Sequence, residues 1–135
     1  MLYFIVTFTN IMRIIVYKEQ QTKTINIMNV SEFIIVTSKE SDHGYSVIRP
    51  QIVCNDGFKM SVQAGKGSYS TPRGLSKGCT SVEIGFPSIE EELINEYAEG
   101  GDYTETVYPF TPIEVAEKVI EKHGGINISE TFAGY

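Results

Sequence analysis

A chain of 135 residues with 41% apolar and 21% charged residues is long enough for one domain with a sizeable core, and that composition excludes disorder along its whole length. A formal net charge of −6 argues against a nucleic-acid binder, which presents a broad basic face. Two cysteines outside any CxxC pair and two distant histidines leave no zinc-type spacing; they fit a reducing cytosol and call for no metal or cofactor.

The apolar run Met1 to Met12 is too short to span a bilayer, which takes about 20 residues, and lacks the basic start and cleavage site of a secretory signal. It reads as an edge strand or an apolar extension, with Met12 a candidate start. Ile14 to Tyr17 and Thr24 to Ile27 then form an expected hairpin, and Phe33 to Thr37, rich in β-branched residues, an expected third strand. Val47 to Cys54 and Phe58 to Ala64 flank Asn55-Asp56-Gly57, a tight-turn signal in which glycine accepts positive φ. Alternation in the second of these strands buries Met60, Val62 and Ala64 and turns Gln63 away from the core. Ser81 to Phe86 is a further strand, and Val107-Tyr108 pairs as a short one.

Two helices follow. Ser88-Ile89-Glu90-Glu91 has the form of a capping box, with Ile89, Leu93, Ile94 and Tyr97 at helical spacing before Gly100-Gly101. Thr111-Pro112-Ile113-Glu114 repeats the device, with Thr111 as cap, Glu114 as its reciprocal partner and Phe110 stapled onto Val115. Ile113, Ala116, Val119 and Ile120 form its buried stripe, and Gly124-Gly125 ends it. His123 falls at the helix end, where the dipole favours an imidazolium in a structural role. Strands first and helices afterwards define an α+β fold: an antiparallel sheet of hairpins followed by two capped helices in one domain over 1–135.

Charge is unevenly placed along this order. Between His43 and Lys77 lie Arg49, Lys59, Lys66, Arg73 and Lys77, five of the eleven basic residues, against Asp56 alone. Eleven of the seventeen acidic residues fall between Glu83 and Glu121, against Lys118. The acidic run suits a solvated helical face. The basic segment, with Ser61 to Arg73 interleaving glycine, hydroxyl, aromatic and guanidinium groups, suits a small anionic ligand as well as an ordinary exposed loop. Gly65-Lys66-Gly67-Ser68 lacks the earlier glycine of a Walker motif.

Tyr45 to Pro50, the 61–73 loop, Val82-Glu83-Ile84-Gly85-Phe86-Pro87-Ser88, and Val107-Tyr108-Pro109-Phe110-Thr111-Pro112 leading to Val119 to Gly125 together resemble small phage-encoded proteins. The pattern is most similar to the first class of Thoeris anti-defence sponges, which bind cyclic ADP-ribose isomers and hide them from a bacterial immune effector; the resemblance covers roughly Arg13 to Ile126. It implies a homo-oligomer, no catalysis, and ligand pockets between subunits; composition and charge add the host cytoplasm as the expected compartment, with no membrane or nucleic-acid polymer as partner.

Such a ligand carries a pyrophosphate, an adenine and two riboses, so its captor needs cationic forks, a stacking face and polar groups for hydroxyls. Arg49 and Arg73 are the pyrophosphate candidates, with Ser68 and Ser70 as auxiliary donors. Tyr69, Phe86 and Tyr108 are the stacking candidates, and Gln63 serves a ribose or a base edge. Plainer roles stand beside these: both arginines pairing with acidic helices, and Phe86 in the core. Two other classes stand beside this one: a small phage nucleotide hydrolase or transferase that uses the same loop but turns the ligand over, and a protein-binding inhibitor of a host factor that uses the aromatic 103–110 segment and the acidic face instead. Glu90, Glu91 and Glu92 are the metal candidates of the enzyme class, but adjacent helical positions point about 100° apart and do not converge on one ion.

Overall fold

The computed structural model describes residues 28–38, 49–72 and 78–135. The expected hairpin at 14–17 and 24–27, the 1–12 run and Arg73 lie outside them. An α+β fold is observed. A four-stranded antiparallel sheet runs in the order β1 (Ile52–Val53), β2 (Lys59–Gln63), β3 (Ser81–Gly85), β4 (Val107–Pro112). Helix α1 (Val30–Val36) precedes it; a 3₁₀ helix (Glu92–Tyr97) bridges β3 and β4, and α2 (Ile113–Lys122) and α3 (Ile128–Thr131) follow.

The hairpin around Asn55-Asp56-Gly57 forms as expected, pairing Ile52 with Met60, and Gly57 takes φ 93°. Alternation along β2 and β3 buries Met60, Val62, Val82 and Ile84 on one face, joined by Tyr108 from β4. That face packs against Ala116, Val119 and Ile120 of α2 and Phe33 and Ile34 of α1. The opposite face carries Ser61, Gln63 and Glu83, partly exposed.

Three local expectations are overturned. Phe33 to Thr37 is helical because Asn29 and Glu32 form a reciprocal capping box, and because Val30, Phe33 and Ile34 meet the core at helical spacing while Ile35 and Val36 stay exposed. Ser88 caps no helix: its hydroxyl accepts the Lys59 N–H at 2.9 Å and its own N–H donates to the Lys59 carbonyl at 2.8 Å, tying this segment to β2. Thr111 belongs to β4, its hydroxyl donating to the Tyr108 carbonyl at 3.0 Å, and α2 starts with no side-chain cap. Phe110 is 47% exposed and makes no staple. Gly124 and Gly125, at φ 86° and 91°, end α2 as expected. No helix among the described residues is long and apolar enough to cross a membrane.

Candidate ligand-binding site

Between β2 and β3 the chain makes an excursion over 64–70 and returns to bridge Thr71 with Ser81. Gly65 and Gly67 turn it at φ 110° and 89°, conformations a side chain would resist. Its serines are buried: the Ser70 hydroxyl accepts the Gly65 N–H at 3.0 Å, and the Ser68 N–H donates to the Gly65 carbonyl at 3.1 Å. The Tyr69 N–H donates to the Glu83 carboxylate at 3.1 Å, and the Tyr69 carbonyl accepts the Phe110 N–H at 3.0 Å, which lays the loop over the outer face of the sheet. Most of the loop's N–H groups are thus spent internally. Those of Lys66 and Gly67, at the exposed tip, have no partner among the described residues.

Aromatic rings border this loop. Tyr69 and Phe110 meet edge to face with centroids 5.8 Å apart, and both are more than two-fifths exposed. Phe110 sits at φ 50° and Phe86 at φ 48°. Phe86 is half exposed rather than part of the core. Glu83, opposite Gln63, joins the loop to the sheet, and Phe86 follows directly on the end of β3.

The other expected site residues lie elsewhere. Arg49 is 4% exposed and faces no acidic helix. Its Nε donates to Thr37 Oγ1 at 2.8 Å, Nη1 to the Ala64 carbonyl at 2.9 Å, and Nη2 to Ser38 Oγ at 3.1 Å and the Ile34 carbonyl at 3.4 Å. A cation there complements the C-terminal end of α1 and is packed away from solvent. Tyr108 is fully buried, and its hydroxyl donates to the Tyr103 carbonyl, so its ring offers no face to a ligand. Gln63 turns outward as expected and donates to Ser61 Oγ at 3.2 Å. The structure therefore brings Gln63, Tyr69 and the unanticipated Phe110 together, with Phe86 just past the end of β3, and leaves Arg49 and Tyr108 buried in the core. Only the strain at Phe110 distinguishes it, and φ is not legible in a sequence.

A second cluster unites residues far apart in the chain. His123, 7% exposed, stacks on Phe58 at 4.0 Å between centroids and faces Asp56 at 2.6 Å through Nδ1 and Glu91 at 2.6 Å through Nε2. Lys122 bonds the same Glu91 at 2.8 Å. Burial opposes a charge on His123, but the two carboxylates prevail and raise its pKa. Asp56 is held below the usual carboxylate range by the Phe58 N–H and then His123; Glu91 is held below it by Lys122 and His123 against its burial. These directions set a pH window. The raised histidine gives stability that is complete below about 6.5, the ordinary imidazole value, and is lost as pH climbs through the raised one. The lowered carboxylates give stability that is complete above their ordinary range and is lost as pH falls through the lowered values. Glu117, pushed up by burial, works in the opposite sense on the acid limb. Thermal melts should therefore peak between about pH 5 and 6.5; the decline that sets in just above that window should vanish in His123→Asn, leaving only the loss at higher pH from the raised Lys122, Cys54 and Tyr108, and persistence of the early decline there would remove His123 as its cause.

The fold and these two sites define an α+β protein with a strained aromatic edge and a buried ion cluster. The sequence matches no protein-family model, no curated protein and no solved structure.

Proposed function

We propose that the chain binds a small nucleotide of the cyclic ADP-ribose type and holds it without cleaving it, serving a phage by keeping such a signal from a bacterial immune effector. The observation that carries this reading is the pair of half-exposed phenylalanines held in the left-handed region. A bulky L residue there costs about 1–2 kcal/mol, which glycine would remove, and strain of this kind concentrates where a side chain has a task. Rings facing solvent stack on a base whatever its edges carry. Lys66 and the two unpartnered N–H groups at the loop tip supply positive charge and donors suited to phosphate oxygens. The Glu83 carboxylate under Tyr69 directs those oxygens toward the tip and away from the sheet face. While protonated, His123 has both ring nitrogens committed to carboxylates, which leaves it no lone pair to act as a base on a ligand. In keeping with the sponge resemblance, a second copy of the chain completes the pocket over rings that one chain leaves half open.

The test is to incubate the protein with cyclic ADP-ribose isomers, release the ligand by heat and identify it. It should return intact; a cleaved product exceeding one per site would favour the hydrolase reading. Phe86→Gly removes the stacking ring and relaxes the backbone together. Its affinity should fall about 5- to 100-fold, the worth of one base stack. Its melting temperature should hold, since relief of strain offsets the flexibility that glycine adds to the unfolded chain. Unchanged affinity would exclude Phe86 from the site.

A separate observation favours a second reading, an inhibitor that docks on a host protein. Ile89 and Leu93 are 58% and 38% exposed, set among Glu90 and Glu92.

A further inference from the structure

Each nitrogen of the His123 ring faces a carboxylate oxygen at 2.6 Å. That arrangement is satisfied only with a proton on both nitrogens, because a neutral imidazole has one N–H and would aim a lone pair at one of the two anions. The anions are not equivalent. Glu91 is 1% exposed, and its other oxygen accepts from Lys122 at 2.8 Å and from the Leu93 N–H at 3.2 Å. Moving it would break both bonds inside the protein. The Asp56 side chain is 49% exposed on the turn between β1 and β2, where water replaces a lost partner at little cost.

We propose that His123 is a proton-held latch for the β1–β2 turn: on losing a proton to solvent the ring keeps Nε2–H on Glu91, presents a lone pair at Nδ1 and releases the Asp56 carboxylate. Asp56 Oδ1 also accepts the Phe58 N–H at 2.9 Å, so its departure frees that amide as well. The turn stays tethered through the Asn55 N–H to the Gly125 carbonyl at 3.0 Å and Asn55 Nδ2 to the Gly124 carbonyl at 2.6 Å. Release therefore slackens the turn without parting the hairpin. The other charged or titratable groups around the ring leave this choice in place. Lys122 sits on the Glu91 side, Glu92 faces Lys122, and burial pushes the nearby Cys54 thiol up to about 12, so it stays neutral through the transition. The two carboxylates raise the histidine, so the latch stays closed to a higher pH than an ordinary imidazole would hold it.

Ring ¹⁵N shifts of the full chain followed against pH, with amide exchange measured on the same samples, test the latch. Both His123 nitrogens should report protonated imidazolium below the midpoint, which should lie above the ordinary imidazole value, and above it only Nδ1 should take the unprotonated shift. The Phe58 amide should then exchange about tenfold faster relative to its intrinsic rate, the loss of one hydrogen bond to a charged group. Asp56→Asn, which suits the turn, should lower the His123 midpoint and make Phe58 exchange indifferent to it. Deprotonation at Nε2, steady Phe58 protection through the midpoint, or an unmoved midpoint in Asp56→Asn would each overturn the proposal.

Discussion

Arg49→Met should destabilise the fold by roughly 3–5 kcal/mol and lower the melting temperature by about 10 °C or more, while the methionine retains most of the buried stem. The Ala64 carbonyl loses its donor and the Thr37 hydroxyl the one N–H it accepts, in a region closed to water, while the Ile34 carbonyl keeps the Ser38 hydroxyl at 2.6 Å. Each buried acceptor left unsatisfied costs about 1–3 kcal/mol. Removal of a surface cation would instead cost at most about 1 kcal/mol. Denaturant and thermal unfolding decide the matter: a variant that melts with the wild type but fails to take up nucleotide would return Arg49 to the ligand and remove it from the frame.

Glu91→Gln should cost a similar amount, about 3–5 kcal/mol, because it leaves a buried imidazolium without its buried partner. The amide keeps the shape and one acceptor oxygen, so the loss is one of charge rather than packing. Two readouts should move together: stability at neutral pH falls, and the His123 midpoint drops, drawing the alkaline limb of the stability profile toward neutrality. A destabilised variant with an unmoved midpoint would mean that Glu91 acts through Lys122 and the Leu93 N–H, not through the histidine.

Several elements were legible because short-range chemistry governs them. Asn55-Asp56-Gly57 specifies its hairpin through one glycine at positive φ, alternation in 59–63 and 81–85 fixes which strand face is buried, and Gly124-Gly125 stops α2. The helix at Val30–Val36 reads wrongly as a strand, because four consecutive apolar residues carry a strand signal as strong as the helical one of Asn29, Glu32 and the spacing of Val30, Phe33 and Ile34. Burial of Phe33 and Ile34 against α2 and the sheet resolves that ambiguity, and it is a property of the assembled core. Capping patterns misled at Ser88 and Thr111, since a hydroxyl serves whichever backbone group tertiary structure brings near: the Lys59 N–H for one, the Tyr108 carbonyl for the other.

For the candidate site, composition singled out the glycine-rich loop with Tyr69 and, beyond it, Phe86, because backbone freedom and ring chemistry travel with residue type; it named the buried Tyr108 and passed over Phe110. Composition gave no means of separating an arginine that faces solvent from one that closes a helix end, and Arg49 lies within the core. Asp56, Glu91 and His123 carry no mutual spacing, since a turn, a loop and a helix end converge only after the sheet has formed. The left-handed backbone at Phe86 and Phe110 is imposed from outside those residues: Phe86 donates its N–H to the Thr106 carbonyl, and Phe110 to that of Tyr69. The sequence determined which segments turn, pair and bury; tertiary contacts decided which charges meet and which rings are left in water, because both depend on neighbours distant in the chain.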